Sequence, residues 1–323
     1  MRKQKKQGSL RVVFLFPGQG SQYVGMGRDL YEMYEIARDI YNNANEILGW
    51  DVAKLSFEGP KSKLMKTCFT QPAILVHSYI SYCLLVENGI MPSLALGHSL
   101  GEYSALLAAG VTDFQTAIRL VKERGRFMHE TIPQGGGAMA ALLGIERETV
   151  EKICEEVDGI VEVANYNAPG QIVISGEGGA VNAAVSLAHD KEARKAIILP
   201  VGAPFHCSLL LKASEQMSRV LEEVEFGELA FPIYANVTGR EIRNSVEAKA
   251  LLRRQINSSV MWEDSVRCAG KEKPDVAIEV GPGKVLSGLN KRIFRDQPVF
   301  NVEDRKSLEA TLEGLDRLSR NCA

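Results

Sequence analysis

Leu94-Ala95-Leu96-Gly97-His98-Ser99-Leu100-Gly101-Glu102 decides how this chain is read. An apolar run leads into a G-x-S-x-G pattern, and a helix-like stretch, residues 102–109, follows it. A strand that ends in a sharp turn and opens directly into a helix needs glycine on both flanks, because a side chain there collides with neighbouring backbone. The turn lifts the Ser99 hydroxyl above the carboxyl edge of a sheet. It also leaves the Leu100 N–H unpaired at a helix start, where it can donate to an oxyanion. The strand-turn-helix context makes Ser99 a predicted nucleophile, where the pentapeptide alone is a turn with an incidental serine.

On either side of this turn, strands and helices alternate. Residues 11–16 read as a buried strand running into Pro17-Gly18-Gln19-Gly20-Ser21-Gln22, a glycine-rich loop without phosphate-loop spacing. Leu30, Met33, Ala37, Ile40, Ala44 and Ile47 recur at helical spacing up to a stop at Gly49. Gly135-Gly136-Gly137 after Pro133 marks a hinge. Beyond it, strands at 138–145, 160–165, 171–175 and 196–201 alternate with helices at 148–157 and 180–189. The order is βαββαβ, the ferredoxin-like unit. Helices at 208–223 and 246–258 and strands at 233–236 and 276–280 follow, the last turning through Gly281-Pro282-Gly283 into another helix. The prediction is an α/β fold with a mostly parallel sheet. Its large subdomain spans 1–132 and 204–323, with a small ferredoxin-like subdomain inserted at 133–203.

The composition is that of an ordinary soluble enzyme: 323 residues, 45% hydrophobic, net charge -2 and pI near 6.3. No basic excess suggests nucleic acid. Arg2, Lys3, Lys5 and Lys6 make a basic leader, but the apolar run after them, 12–16, is too short for a signal peptide or a membrane span. The six cysteines, at 68, 83, 154, 207, 268 and 322, show neither C-x-x-C nor zinc spacing, which predicts reduced thiols in a cytoplasmic protein without a metal site. Cys207 reads as a small core residue. A discrete chain of this length is compatible with a monomer.

A serine nucleophile needs a base, and five histidines are available. His77 and His129 fall mid-helix, His189 near a helix end, and His98 lies in the turn itself. His206 follows strand 196–201 through Gly202-Ala203-Pro204-Phe205, on a strand-to-helix loop, in the serine-first chain order of α/β-hydrolase-like sites. Ser99 would pass its proton to His206, and the oxyanion would be held by the N–H groups of Leu100 and Gln19. No acid suits the third position. Asp113 reads as a helix N-cap, Asp158 and Asp190 lie in turns, and a backbone carbonyl or an amide remains open as the orienting group.

Arg124 discriminates further. On the helix at 113–130 it falls on the wheel between Leu120 and Met128, on the apolar stripe. A guanidinium there requires an anionic or carbonyl partner, and with no obvious acid beside it the reading is a carboxylate on the ligand.

Gly18-Gln19-Gly20-Ser21-Gln22, Gly97-His98-Ser99-Leu100-Gly101-Glu102, Arg124-Gly125, Asn165-Tyr166-Asn167-Ala168-Pro169-Gly170-Gln171, Ala203-Pro204-Phe205-His206 and Glu279-Val280-Gly281-Pro282-Gly283, in this order from about Val12 to the last helix, resemble the malonyl-CoA:acyl carrier protein transacylases of type II fatty-acid synthesis. The resemblance implies an α/β-hydrolase-like large subdomain with a ferredoxin-like insert. It implies ping-pong transfer of malonyl from malonyl-CoA to Ser99 and then to the phosphopantetheine thiol of the acyl carrier protein, with no bound cofactor. Carried over, Ser99 is the nucleophile, His206 the base, Arg124 the malonyl carboxylate clamp, and Gln19 and Leu100 the oxyanion hole. Gln255 matches the residue whose backbone carbonyl orients the histidine, and Asn165 and Phe205 line the site. Phe205 stands where many stand-alone members carry serine; in related polyketide acyltransferase domains phenylalanine accompanies malonyl. A rival serine hydrolase predicts an acid partner and no buried arginine. An acyltransferase serving a polyketide synthase or a malonate decarboxylase predicts nearly the same site. A non-catalytic interaction module would have no reason to keep Ser99, His206 and Arg124 together. Because acyl carrier proteins are typically acidic, Arg253, Arg254, Lys284, Lys291 and Arg292 are candidates for a basic docking rim.

Overall fold

β1 (Val12–Phe16) is buried at all five positions, as a strand with helices on both faces must be. It pairs in parallel with β2 (Leu94–Gly97), Phe16 standing opposite Gly97, so the loops leaving the two carboxyl ends meet. The structure is a computed structural model describing residues 10–131, 136–201 and 203–321. The basic leader, Pro133 and Gly135 of the hinge, Gly202 and Cys322 lie outside the described residues.

Seven further strands complete two sheets: β3 (Ala138–Leu143), β4 (Val161–Ala168), β5 (Gln171–Gly176), β6 (Lys195–Ile198), β7 (Ile233–Tyr234), β8 (Val276–Val280) and β9 (Val299–Val302). The first sheet runs β7-β2-β1-β8-β9, every pair parallel. Chain order reverses beside β1, and ligand crevices of open parallel sheets form outside the strand ends at such a switch point. The helix Thr67–Glu87 packs on this sheet, buried among the core residues. It is long and apolar enough to cross a bilayer, but most of its surface is spent on the protein interior.

The second sheet runs β4-β5-β3-β6, every pair antiparallel, with the helices Arg147–Glu156 and Gly178–Asp190 on one face. This is the ferredoxin-like order. The twofold alternation of a strand divides its residues: Ala140 and Leu142 join Val150, Ile153 and Val181 in a separate core, whereas Met139 and Ala141 pack toward the large subdomain.

Several predicted elements differ in extent. The periodic stretch at 30–47 is two helices, Arg28–Met33 and Glu35–Leu48, because Tyr34 between them is extended. The strand predicted at 233–236 stops at Tyr234, since Asn236 turns its N–H and side chain toward Glu102 and the Ser99 turn. The helix predicted at 246–258 is Ser245–Gln255, and the carbonyls of Gln255 and Ser258 face His206 instead of continuing a helix. His129 sits in the last turn of its helix, not mid-helix.

Candidate active site

Ser99 joins β2 to the helix Leu100–Ala108 with φ 52° and ψ -105°. A non-glycine residue held in such a conformation costs about 1–3 kcal/mol. Its surroundings impose it. A Cβ on Gly97 would overlap the Gly101 carbonyl, and one on Gly101 would overlap the Phe16 carbonyl, so β2, the helix and β1 meet backbone to backbone. Asn236 braces the turn, its Oδ1 accepting the Ser99 N–H at 2.6 Å and its Nδ2 donating to Gly97 O at 2.6 Å.

His206, at φ 61°, brings Nε2 to 2.7 Å from Ser99 Oγ. Its Nδ1 faces the backbone carbonyls of Gln255 (2.9 Å) and Ser258 (3.2 Å). Carbonyls only accept, so Nδ1 carries the ring proton and Nε2 is left to accept from the serine hydroxyl. Burial, reinforced by the charge of Arg124, pushes the imidazole down to about 3, against which the Gln255 carbonyl pulls. His98 is occupied elsewhere: Nε2 is 2.8 Å from Asn167 Oδ1, and the ring packs on Trp262.

Arg124, in the helix Phe114–Glu130, is fully buried. Its Nη2 donates to Ser99 Oγ and to Gln255 Oε1, each at 3.0 Å, while Nε and Nη1 have no partner among the described residues. The guanidinium also lies 5.4 Å from the centre of the Tyr103 ring. The expectation that no acid stands near it is corrected: the wholly buried Glu102 acts on Arg124 electrostatically. Burial holds this carboxyl up to about 7, against the Asn236 N–H, the Gln255 amide and the Arg124 charge.

Arg124, Gln255 and Glu102 lie buried behind Ser99 and His206, which line a cleft of about 240 Å³ between the subdomains. Gln19 lines it from the loop after β1, its side chain donating to Thr67 Oγ1 at 3.3 Å. Asn165 and Phe205 stand on its walls with Met139 and Val173. Leu100 turns its side chain into the core, so only its backbone at the helix start is available. The structure thus brings Ser99, His206, Arg124 and Gln255 into hydrogen-bonded contact and sets Gln19, Leu100, Asn165 and Phe205 around them. Sequence reasoning gave no role to Glu102 or Asn236. A single carboxylate in the otherwise uncharged helix Leu100–Ala108 was the available signal for the first.

The family model described as acyl transferase domain matches residues 13–311. The malonyl CoA-acyl carrier protein transacylase of Bacillus subtilis is 40% identical over 314 residues, covering 96% of this chain and 99% of that protein. That of Escherichia coli K12 is 40% identical over 306 residues, covering 94% and 99%. Among solved structures, a malonyl-transacylase in complex with its type II polyketide synthase acyl carrier protein superposes with TM-score 0.92 at 40% identity, covering 94% of this chain and 99% of that one. The Coxiella burnetii malonyl CoA-acyl carrier protein transacylase does so with TM-score 0.93 at 32% identity, covering 96% and 98%. The chain therefore belongs to the acyl transferase domain family, and within it to the malonyl CoA-acyl carrier protein transacylases.

Proposed function

We propose that this chain transfers malonyl from malonyl-CoA to the phosphopantetheine thiol of an acyl carrier protein through an ester on Ser99. Ser99 Oγ attacks the thioester carbonyl carbon while His206 Nε2 takes the hydroxyl proton. The oxyanion is held by the Leu100 and Gln19 N–H groups. As the C–S bond breaks, His206 returns the proton to the departing CoA sulfur. In the second half the carrier thiol gives its proton to His206 and attacks the ester, and Ser99 leaves with that proton restored.

One observation carries the choice of acyl group: a fully buried guanidinium touches Ser99 Oγ at 3.0 Å and still has Nε and Nη1 without a partner among the described residues. Unpaired buried donors are costly, and a carboxylate two carbons beyond the reacting carbonyl satisfies them. On this reading the protein works in the cytoplasm, which the free thiols of Cys68, Cys83, Cys154, Cys207 and Cys268 support, and it needs no second copy to complete the site.

Intact mass after brief incubation with malonyl-CoA, beside acetyl-CoA and a Ser99→Ala control, tests it. A malonyl adduct absent from the control and discharged by holo carrier protein is expected. Rapid CoA release without an adduct would instead mark a hydrolase.

A further inference from the structure

Glu102 is the one carboxylate in the helix Leu100–Ala108, all nine residues of which are buried. A leucine or methionine there would avoid the cost of desolvating a charge, so stability alone does not account for a carboxylate. Its bonds are specific. Oε2 accepts from Gln255 Nε2 at 2.7 Å and from the Asn236 N–H at 3.0 Å, while Oε1 has no partner among the described residues.

The first bond sets the polarity of an amide. Oε2 already takes the Asn236 N–H, which can only donate, and a carboxyl proton has its place on the unpartnered Oε1, so in either protonation state Oε2 accepts and Gln255 presents its NH₂ to Glu102. The same NH₂ donates to Ser99 O at 3.0 Å. Gln255 Oε1 is thereby turned away from Glu102 and accepts from Arg124 Nη2, the nitrogen that also donates to Ser99 Oγ. The backbone carbonyl of the same Gln255 accepts from His206 Nδ1. The second bond fixes Asn236, whose side chain holds the Ser99 N–H and Gly97 O.

We infer that Glu102 is a positioning residue for acyl transfer: by holding the Gln255 amide and the Asn236 backbone it keeps the guanidinium, the imidazole and the strained serine in one register. It reaches Arg124 through Gln255, without a direct ion pair. The selectivity part rests on the proposed role of Arg124; the reactivity part does not.

The test compares Glu102→Ala, Glu102→Asp, Glu102→Gln, Gln255→Ala and the Glu102→Ala/Gln255→Ala double variant in the full chain, per folded molecule. The readouts are the rate of Ser99 labelling by a fluorophosphonate, which needs no substrate carboxylate, and the malonyl-to-acetyl adduct ratio by mass. Glu102→Ala is expected to slow labelling on the order of 10²-fold, the effect of displacing catalytic groups by about 1 Å, and to lower the ratio. Glu102→Gln keeps an acceptor oxygen and is expected to recover most of both. The double variant is expected to be about as slow as the slower single variant, because two residues acting through one bond are not additive. Should Glu102→Ala not fold, Glu102→Asp carries the test, since it keeps the carboxyl group and withdraws its oxygens by one methylene. Wild-type labelling and selectivity in Glu102→Ala, multiplied effects in the double variant, or Glu102→Gln as impaired as Glu102→Ala would each overturn the inference. Wild type that reacts with the fluorophosphonate and takes no malonyl would overturn the proposed function, and the labelling rates would still decide the role of Glu102.

Discussion

Ser99 Oγ and His206 Nε2 stand 2.7 Å apart across 107 residues of chain, and both residues hold positive φ, 52° and 61°. Neither conformation is comfortable for a residue with a Cβ, and each is over-determined by its surroundings. On one side glycines bring three backbones together; on the other two carbonyls grip Nδ1. Nucleophile and base are therefore set before substrate arrives, with the imidazole in the tautomer that accepts. A carbonyl in the third position adds no negative charge, which leaves burial, reinforced by the charge of Arg124, to keep the imidazole neutral.

That neutrality has a sign in stability. The folded imidazole titrates at about 3, below its ordinary 6.5, so between those values the unfolded chain binds a proton that the folded chain refuses. The contribution of His206 is fully present above 6.5 and falls as pH drops toward 3. Glu102 and Glu279, both raised by burial to about 7, behave oppositely: their contribution is present below 4.5 and lost as pH rises through 7. The carboxyl groups are common to wild type and His206→Gln, so the difference between the two isolates the histidine. That difference is expected to shrink, by up to about 1.4 kcal/mol per pH unit, between pH 6 and 4. Paired thermal melts check it, and a difference independent of pH would contradict the neutral, desolvated base.

Arg124→Ala is expected to lose malonyl selectivity by two to three orders of magnitude while Ser99 is still acylated slowly by acetyl-CoA. The scale is roughly the 3–5 kcal/mol that breaking a buried charge pair costs, reduced where the cleft admits water. Arg124→Lys should recover little, because an ammonium cannot reach Ser99, Gln255 and a carboxylate together as a planar guanidinium does. Adduct masses in competing malonyl-CoA and acetyl-CoA measure the ratio. An unchanged ratio in Arg124→Ala would remove the clamp.

Phe205 is buried on the cleft wall next to the base. A serine in place of this ring would open room on that wall for an α-methyl on the acyl group. Phe205→Ser is expected to raise the methylmalonyl-to-malonyl rate ratio about 10-fold or more, the worth of one added carbon in a fitted pocket. Competition between the two CoA esters, read by adduct mass, decides it.

What the sequence made legible was what short-range sterics dictate. Gly97 and Gly101 announce a backbone crossing whatever surrounds them, and the alternating pattern of residues 138–198 carries its own small sheet. Ser99, His206 and Arg124 were legible because a reactive or charged side chain in an apolar or turn setting is conspicuous. The helix Thr67–Glu87 was read only as the surroundings of His77 and given no bounds, since residues apolar on every face leave no period to detect. The bonds of Glu102 to Asn236 and Gln255 span 134 and 153 residues. Nothing local in Asn236 foretells them, and the side-chain role of Gln255 was hidden behind the one expected of its backbone.

The proposed carrier partner leads to a last expectation, about the rim. Of the basic candidates, Arg292 is committed within the protein, donating to Pro169 O and Gln171 Oε1 at the β4–β5 hairpin, and Arg253 pairs with Glu222. Arg254 and Lys284 are exposed. Lys284 directly precedes Val285 and Leu286 on the cleft wall, its ammonium 3.6 Å from Glu303. An acidic carrier steered by such charges arrives faster at low ionic strength, and the advantage is screened by salt. Arg254→Glu with Lys284→Glu is therefore expected to lower kcat/KM for holo carrier protein about 10-fold at low salt, with a smaller deficit at high salt. Acylation of Ser99 by malonyl-CoA should stay within about twofold of wild type, because both side chains are exposed and, among the described residues, neither is hydrogen-bonded to Ser99, His206, Arg124 or Gln255. Separate measurement of the two half-reactions checks this. A deficit in the first half-reaction would place these charges on the CoA path, and no deficit in either would move the carrier surface elsewhere.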